Sequence, residues 1–174
     1  MMFISEERIS LRIAEPEDAR QIYEWENDRN LWRVSETSNP ISQFQIEQFL
    51  LGNGDLVTNR QLRLMINLKG ADKAIGCIDL FEYDPINGHI GIGILIEQAY
   101  REQGYAKSAL ALCIDYLFNN VMVHQVHCLI DGQNKESQHI FEKLGFKPCG
   151  TRKDWIKTPE GYIDAIFYQK FQQP

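Results

Sequence analysis

The residues best suited to chemistry lie where an apolar segment, His89 to Ile96, runs through a loop into a helical pattern that begins near Gly104. Arg101 precedes this glycine and Lys107 follows it. The start of a helix exposes backbone N–H groups and a partial positive charge, and a glycine there lets an anion approach closely. Two cations beside that charge are best explained by an external anion. These residues therefore predict a phosphate-binding loop.

The helix after the loop is predicted from its apolar spacing. One face, at the i, i+3, i+4 and i+7 positions, carries Ala106, Ala109, Leu110, Cys113 and Leu117. A plain turn glycine before such a helix is the alternative explanation of Gly104. The chain has no Gly-x-x-x-x-Gly-Lys-Ser/Thr run, which excludes a P-loop, and the loop does not match the dinucleotide fingerprint Gly-x-Gly-x-x-Gly.

A second motif lies downstream, at residues 134–146, with the sequence NKESQHIFEKLGF. It resembles the Asn-x-x-Ser/Ala-x-x-x-Tyr/Phe-x-Lys-x-Gly-Phe segment of the GNAT superfamily of acetyl-CoA-dependent N-acetyltransferases. The Arg-x-x-Gly-x-Ala run at 101–106 resembles the pyrophosphate loop of the same superfamily. The similarity extends loosely over residues 11–168 and points to the branch that holds spermidine acetyltransferases and ribosomal-protein N-terminal acetyltransferases.

This resemblance implies that acetyl-CoA is the co-substrate. Backbone groups of Ile94, Leu95 and Ile96 would pair with the pantetheine arm and polarise the thioester carbonyl. Asn134 would contact the arm through its side chain, although an N-cap of the following helix explains it equally well. The cofactor-binding residues implied in this way are Ile94, Leu95, Ile96, Arg101, Glu102, Gln103, Gly104, Tyr105, Ala106, Lys107, Ser108, Asn134, Ser137, Phe141 and Lys143.

The acid that would assist thiolate departure differs from the family pattern. The implied reaction is direct attack of a neutral amine on the thioester, and many relatives protonate the departing thiolate with a tyrosine. This chain has Phe141 at that position, and a phenylalanine cannot donate a proton. We therefore expect departure to depend on Ser137, on water or on the low intrinsic pKa of a thiol.

The base that would accept the amine proton also departs from the pattern. Several relatives carry a glutamate on the strand before the loop, where this chain has Gly91. The candidates for the base are Glu26, which we name first, Asp28, Glu36 and His89. Each of the four, Glu26 included, is also explained as an ordinary surface residue. His124, His127 and His139 lack the spacing of metal ligands and are interpreted as structural, so no metal is expected.

Composition limits the other functions. A chain of 174 residues, 44% hydrophobic and 24% charged, predicts a single domain over residues 1–174. The net charge of −6 without a basic cluster argues against nucleic-acid binding and mildly favours a cationic substrate.

No segment approaches the ~18 consecutive apolar residues of a membrane span. The oligomeric state stays open, and a homo-oligomer is compatible with the sequence.

The cysteines and the first residues favour the cytoplasm. Cys77, Cys113, Cys128 and Cys149 have no Cys-x-x-Cys spacing, and three of them lie in apolar patterns, as reduced core cysteines do. Residues 1–7 lack a basic region followed by an apolar one, so we expect no export signal.

The predicted fold is α+β and GNAT-like, a mostly antiparallel sheet flanked by helices, with one parallel pair of strands splayed at one end. The parallel pair is 89–96 with 121–130, because a helix separates them and implies a right-handed crossover. The first helix should bury Ala19, Ile22 and Tyr23, and the second Phe44, Ile46 and Phe49-Leu50. The other predicted strands are 9–13, 61–68, 73–82, 151–157 and 162–171, and the predicted helices are 15–27, 42–51, 104–118 and 135–144.

The function predicted from this resemblance is an N-acetyltransferase acting on a primary amine of a small molecule, such as a polyamine, or of a protein N-terminus. The acceptor wall would include Trp25 to Asp28 and the loop to Pro40. Spermidine is a possible acceptor but is not favoured, because the relatives that acetylate spermidine carry several clustered acids in this region, whereas residues 35–43 contain Glu36 as their single acid. The alternative is an acetyl-CoA-binding sensor or structural protein without efficient turnover, suggested by Phe141 and Gly91.

Overall fold

The computed structural model of the protein describes residues 4–28, 40–52, 55–70 and 73–172. Within these residues the strands form one eight-stranded sheet in the order β1-β2-β3-β4-β5-β6-β8-β7. The strands are β1 Ile4–Ser5, β2 Ile9–Ile13, β3 Leu62–Leu68, β4 Ala74–Asp84, β5 His89–Ile96, β6 Gln125–Asp131, β7 Lys147–Thr158 and β8 Gly161–Phe171. The helices are α1 Ala19–Glu26, α2 Gln43–Gly52, α3 Leu56–Asn59, α4 Tyr105–Tyr116 and α5 Lys135–Lys143.

Strands β3, β4 and β5 lie where strands were predicted, and they form an antiparallel meander. The register of β4 with β5 shifts between Phe81 and Asp84, and Glu82 there has a left-handed backbone with a φ of 51°. Gly91 and Gly93 of β5 pair regularly with β4, so this irregularity lies in β4.

The parallel pair is confirmed, and it is short. Strand β5 pairs with β6 at His89↔Gln125, Ile90↔Val126 and Gly91↔His127. Beyond Gly91, β5 keeps its pairing with β4 up to Ile96, whereas its pairing with β6 ends. The two strands therefore part like a wedge toward their carboxyl ends.

Helix α4 covers one face of the sheet. Its Ala109, Leu110, Cys113 and the following Leu117 are buried as predicted. A π-helical turn, Leu117–Val121, continues the helix, so strand β6 begins at Gln125 rather than at the predicted residue 121.

Helices α1 and α2 pack on the opposite face, where they cover Met65, Cys77 and Leu95. Two predictions of buried residues were wrong, because Tyr23 is 39% exposed and Phe44 is 67% exposed. Their places in this core are taken by other positions of the same helices, chiefly Trp25, Ile46 and Leu50.

Trp25 lies on the core side because its indole nitrogen donates to a carboxylate oxygen of Glu97, at 2.9 Å. Gln21 and Lys73 also donate to this carboxylate. Although burial acts in the opposite direction, these hydrogen bonds lower the pKa of Glu97. The carboxylate therefore ties α1 to the carboxyl end of β5.

The carboxyl-terminal half follows the prediction with small differences. Helix α5 ends before Gly145, whose φ is 88°, and it buries Gln138 and Phe141, while Ser137, Ile140 and Leu144 are half-buried. The loop predicted after α1 falls largely outside the described residues. None of the helices in the described ranges has the length and apolar character needed to cross a membrane.

Candidate active site

A cavity of about 580 Å³ lies where the carboxyl end of β5, the loop after it, the start of α4 and helix α5 meet. Most of the predicted cofactor-binding residues line it, namely Ile94, Ile96, Arg101, Glu102, Gly104, Tyr105, Ala106, Lys107, Asn134, Ser137 and Lys143. The rest of the lining, which the sequence did not predict, is Tyr100, Glu136, His139 and Ile140. The two sequence motifs therefore face each other across one cavity.

The first turn of α4 supplies backbone donors to this cavity. Gly104 is the N-cap, with a φ of 84°, and its carbonyl accepts from the backbone N–H of Ser108 at 3.1 Å. The N–H groups of Tyr105, Ala106 and Lys107 precede that first intrahelical bond and have no intrahelical acceptor. Gly104, with its left-handed backbone, is thus followed by N–H groups without an intrahelical acceptor and by the partial positive charge of the helix start. Both favour binding of an anion at this point.

Cationic side chains surround this turn. The Nε atom of Arg101 donates to the carbonyl of Ile96 at 3.0 Å, which fixes the arginine against β5 and leaves its terminal nitrogens for other partners. Lys107 and Lys143 bring further cations to the cavity. Such charges can neutralise the negative charge of a diphosphate.

Arg8 joins this cationic set, although no sequence pattern indicated it. Its Nη2 donates to the carbonyl of Gln103 at 3.1 Å, and its guanidinium lies 4.8 Å from the centre of the Tyr105 ring. Arg8 precedes β2, 95 residues before Gln103 in the chain. Because the contact depends on α4 packing across β2, no local motif could have indicated it.

Helix α5 forms the opposite wall. The Asn134 Oδ1 accepts from the backbone N–H of Ser137 at 3.0 Å, so Asn134 is the N-cap of α5, the alternative explanation of this residue. Its amide nitrogen still has two hydrogens for a ligand in the cavity. Ser137 and Ile140 continue this wall, facing the apolar side chains of Ile94 and Ile96.

Four of the predicted cofactor residues do not line the cavity. Leu95 points to the opposite face of the sheet, where it belongs to the core under α1 and α2, so its backbone alone is available on the cavity side. The side chain of Gln103 donates to the carbonyl of Ala99, and Ser108 lies one turn inside α4. Phe141 is 2% exposed and packs edge-on against Phe146, with ring centres 5.0 Å apart.

We predict that Phe141→Ala lowers the free energy of unfolding by about 3–5 kcal/mol, since it removes a buried ring. Acetyl-CoA affinity of the folded protein should change little, because this ring does not line the cavity. Ile140→Ala is the matched control, since Ile140 is half-buried on the cavity wall. Urea unfolding and calorimetric titration of both variants measure the two effects. A larger loss of affinity in the Phe141 variant would place that ring in contact with the cofactor after all.

Glu26, the first candidate for the base, is held by an ion pair. Its Oε1 lies 2.8 Å from the Nη1 of Arg63, and its side chain is 16% exposed. Arg63 also binds Asp79, with 2.6 Å between Nε and Oδ1. Although burial opposes its charge, the carboxylates of Asp79 and Glu26 raise the pKa of Arg63. Glu26 is thus part of an ion-pair network with Arg63 and Asp79.

The other candidates lie at different places. Asp28 follows the end of α1, where its backbone N–H donates to the carbonyl of Trp25. Glu36 lies outside the described residues. The Nε2 of His89 lies 3.7 Å from a carboxylate oxygen of Asp84, and its Nδ1 is buried without a hydrogen-bond partner among the described residues.

Gly91 is covered by an aromatic ring. A side chain on this residue would overlap the ring of Phe81, its partner on β4, whereas at Gly93 the nearest neighbouring atom would be 3.9 Å away. The position where several relatives carry a glutamate is therefore filled by Phe81 in this protein.

Comparison with known proteins identifies the family. The protein-family model that describes the acetyltransferase (GNAT) domain matches residues 8–147 of this chain. The chain belongs to the GNAT family of acetyltransferases. As a GNAT N-acetyltransferase it uses acetyl-CoA and transfers the acetyl group to an amine, and its fold is the GNAT fold that the sequence predicted.

Its similarity to individual GNAT proteins covers nearly the whole chain. Spermidine N(1)-acetyltransferase of Escherichia coli (strain K12) is 27% identical over 94% of this chain and 86% of that protein. The uncharacterized N-acetyltransferase YokL of Bacillus subtilis (strain 168) is 25% identical over 93% and 89%. Spermidine N-acetyltransferase from Vibrio cholerae, crystallised with CoA and spermine, superposes with a TM-score of 0.85 at 22% identity, over 94% of this chain and 95% of that one.

Proposed function

We propose that this GNAT acetyltransferase acetylates the primary amine of a small cationic molecule by direct attack on acetyl-CoA, within one domain spanning residues 1–174. The observation that carries the proposal is the cavity at the start of α4, lined by cations, which lies beside the wedge between β5 and β6. A cofactor bound in it can reach the point where the strands part.

The cofactor would bind as an extended molecule. Its diphosphate would accept hydrogen bonds from the backbone N–H groups in the first turn of α4. Arg101 and Lys107 would neutralise the negative charge of the diphosphate. The pantetheine arm would then run along Ile94 to Ile96, where the edge of β5 has no pairing with β6. Asn134 and Ser137 would contact the arm from the other wall. In this arrangement the loop neutralises charge and the strand edge supplies backbone hydrogen bonds.

Ser137 is our candidate for assisting thiolate departure. It is half-buried, lines the cavity, and lies on the face of α5 that points toward β5. Phe141, one helical turn later, is buried against Phe146 and cannot donate a proton. Departure would therefore use the Ser137 hydroxyl or water as the proton donor.

The acceptor would approach from the side of α1, opposite the cofactor cavity. A small cationic amine agrees with the net charge of −6 and with the names of the spermidine acetyltransferase relatives. Among the acids on this side, Glu26 and Asp79 are paired with Arg63, and Glu97 is paired with Lys73. Binding of a long polyamine would need several clustered acids. An acceptor with few positive charges is accordingly favoured.

We also propose that the protein works in the cytoplasm. Cys77, Cys113 and Cys128 are buried as free thiols. Burial raises the pKa of each of them, which keeps these thiols protonated and unreactive. Cores of this kind are compatible with a reducing compartment.

The decisive experiment is an acceptor screen with detection of free CoA thiol. The panel should contain small monoamines, diamines, spermidine and peptides with free N-termini. Thiol release with a small amine, and a mass gain of one acetyl group on that amine, is the expected result. Acetyl-CoA that raises the melting temperature but is never consumed would instead support the sensor alternative. Release with the peptides alone would assign the protein to N-terminal acetylation.

A further inference from the structure

We propose that His127 accepts the proton of the acceptor amine, in place of the glutamate that several relatives carry at the position of Gly91. The inference rests on the proposed N-acetyltransferase function and names a residue for one of its steps. It follows from where the strands part, from what fills the space at Gly91, and from the surroundings of His127.

The reacting end of the cofactor must lie near the rung that joins Gly91 and His127. The diphosphate site is at the start of α4, beyond the carboxyl end of β5. From there the arm can run back along β5 as far as the wedge stays open. The last pairing before the strands part is Gly91↔His127. The thioester is accordingly expected within reach of these two residues.

His127 points to the side from which the acceptor would come. Its neighbours in β6, Val126 and Cys128, belong to the core under α4, so the side chain of His127 lies on the opposite face. Gly91 shares this face, because Phe81 overlies Gly91 and also contacts the His127 ring, with ring centres 6.1 Å apart. A base lost from β5 can thus be replaced by its direct neighbour on β6.

The imidazole is held in place by other rings. His127 is 8% exposed, and its ring lies 5.3 Å from Phe167 and 5.8 Å from His89, centre to centre. Among the described residues these are ring contacts, and no hydrogen bond or ion pair is made by the imidazole. Its nitrogens therefore keep their hydrogen-bonding capacity for a ligand.

The charges around His127 favour the neutral form of the ring. Burial lowers its pKa below the ordinary value, and the neighbouring His89 on β5 and Arg152 on β7 act in the same direction. Glu82 on β4 opposes them without reversing the shift. At neutral pH the ring is accordingly an unprotonated base, the form that can accept a proton.

The proposed step moves one acetyl group from sulfur to nitrogen and one proton from the amine to His127. The nitrogen lone pair of the acceptor attacks the thioester carbon, and a C–N bond forms while the C–S bond breaks. The proton that the nitrogen loses passes to the free ring nitrogen of His127, giving an imidazolium that later releases it to water. The CoA thiolate leaves with the electron pair of the C–S bond and is protonated by Ser137 or water.

The test compares His127→Gln with His124→Gln. His124 lies three residues earlier, is exposed, and packs against Phe171 outside the proposed site. With an acceptor found in the screen, His127→Gln should lower kcat about 10²- to 10⁴-fold, the usual contribution of a positioned acid or base, whereas His124→Gln should retain the parental rate. Affinity for acetyl-CoA, measured by calorimetry, should stay within about twofold in both variants, because neither side chain lines the cofactor cavity.

Two further readouts separate a base from a residue that merely packs. In the parent, kcat/KM should fall toward acidic pH with a pKa below the ordinary histidine value of about 6.5. In His127→Gln this acidic limb of the pH profile should disappear. Added imidazole should restore part of the rate of His127→Ala. A glutamine variant with a full rate, or a slow variant that keeps the acidic limb and shows no rescue, overturns the assignment.

Failure of the proposed function gives a different result. If the parent protein binds acetyl-CoA but acetylates no amine, both proposals fall together. If the parent is active and His127→Gln is equally active, the acetyltransferase proposal stands and the role of His127 alone is rejected.

Discussion

Gly104→Asp should weaken acetyl-CoA binding about 100-fold while leaving the fold intact. The substitution puts a carboxylate at the start of α4, beside the expected diphosphate. Two like charges about 4 Å apart near a protein surface repel each other by roughly 4 kcal/mol before salt screening. The fold should tolerate the change, since aspartate is among the residues that adopt left-handed backbone most readily, and Arg8 lies 3.5 Å from where the new side chain begins.

Gly104→Asn is the matched control for this charge effect. Asparagine has the same size and the same tolerance of a φ of 84°, but it carries no charge. Calorimetric titration with acetyl-CoA at two salt concentrations should show a large, salt-dependent loss for aspartate and a small one for asparagine. Equal losses in the two variants would mean that the backbone at Gly104, rather than an anion beside it, determines binding.

Gly91→Glu should destabilise the protein by about 3 kcal/mol or more, even though it installs the residue that several relatives use as a base. The new side chain would overlap the ring of Phe81, and overpacking of a filled site usually costs about 1–3 kcal/mol before any charge is buried. Gly93→Glu on the same strand is the control, because the nearest atom there is 3.9 Å away. Urea unfolding of both variants measures the difference.

A second substitution tests the cause of this loss. Phe81→Ala combined with Gly91→Glu should be more stable than the sum of the two single effects predicts, since removal of the ring opens the space that the glutamate needs. Additive losses in the double variant would show that Phe81 is not what prevents a side chain at Gly91.

The sequence predicted the parts of the fold that depend on local pattern. Alternating apolar residues located the meander β3 to β5, and the helix between β5 and β6 required a parallel connection. The boundary of β6 was wrong because the π-helical turn extends the preceding helix, and no local signal marks such a turn. Strand β1 has two residues, too few for any periodicity to appear.

The site was predicted where its residues are close in sequence. The loop around Gly104 was found from the cations that flank it, and the start of α5 from its resemblance to the GNAT segment. Apart from Gln103, residues 101–107 line one cavity with Asn134 and Ser137. The contact of Arg8 with Gln103 was missed because 95 residues separate the two in the chain. The ring of Phe81 over Gly91 was missed because it depends on the exact register of β4 with β5, which the sequence pattern does not determine. Phe141 was misplaced because residues four apart share a helix face, although one side of that face lines the cavity and the other enters the core.

The outer edge of the sheet bears on how copies of this chain can meet. Strand β7 is the last strand of the sheet and is exposed along nearly all of its twelve residues. It carries Pro148 and the cations Lys147, Arg152, Lys153 and Lys157, and its register with β8 shifts at two places. Proline, lysine and register irregularities of this kind discourage an edge strand from pairing with another chain. At this edge, a second copy of the chain would therefore be contacted by side chains rather than by extension of the sheet from β7.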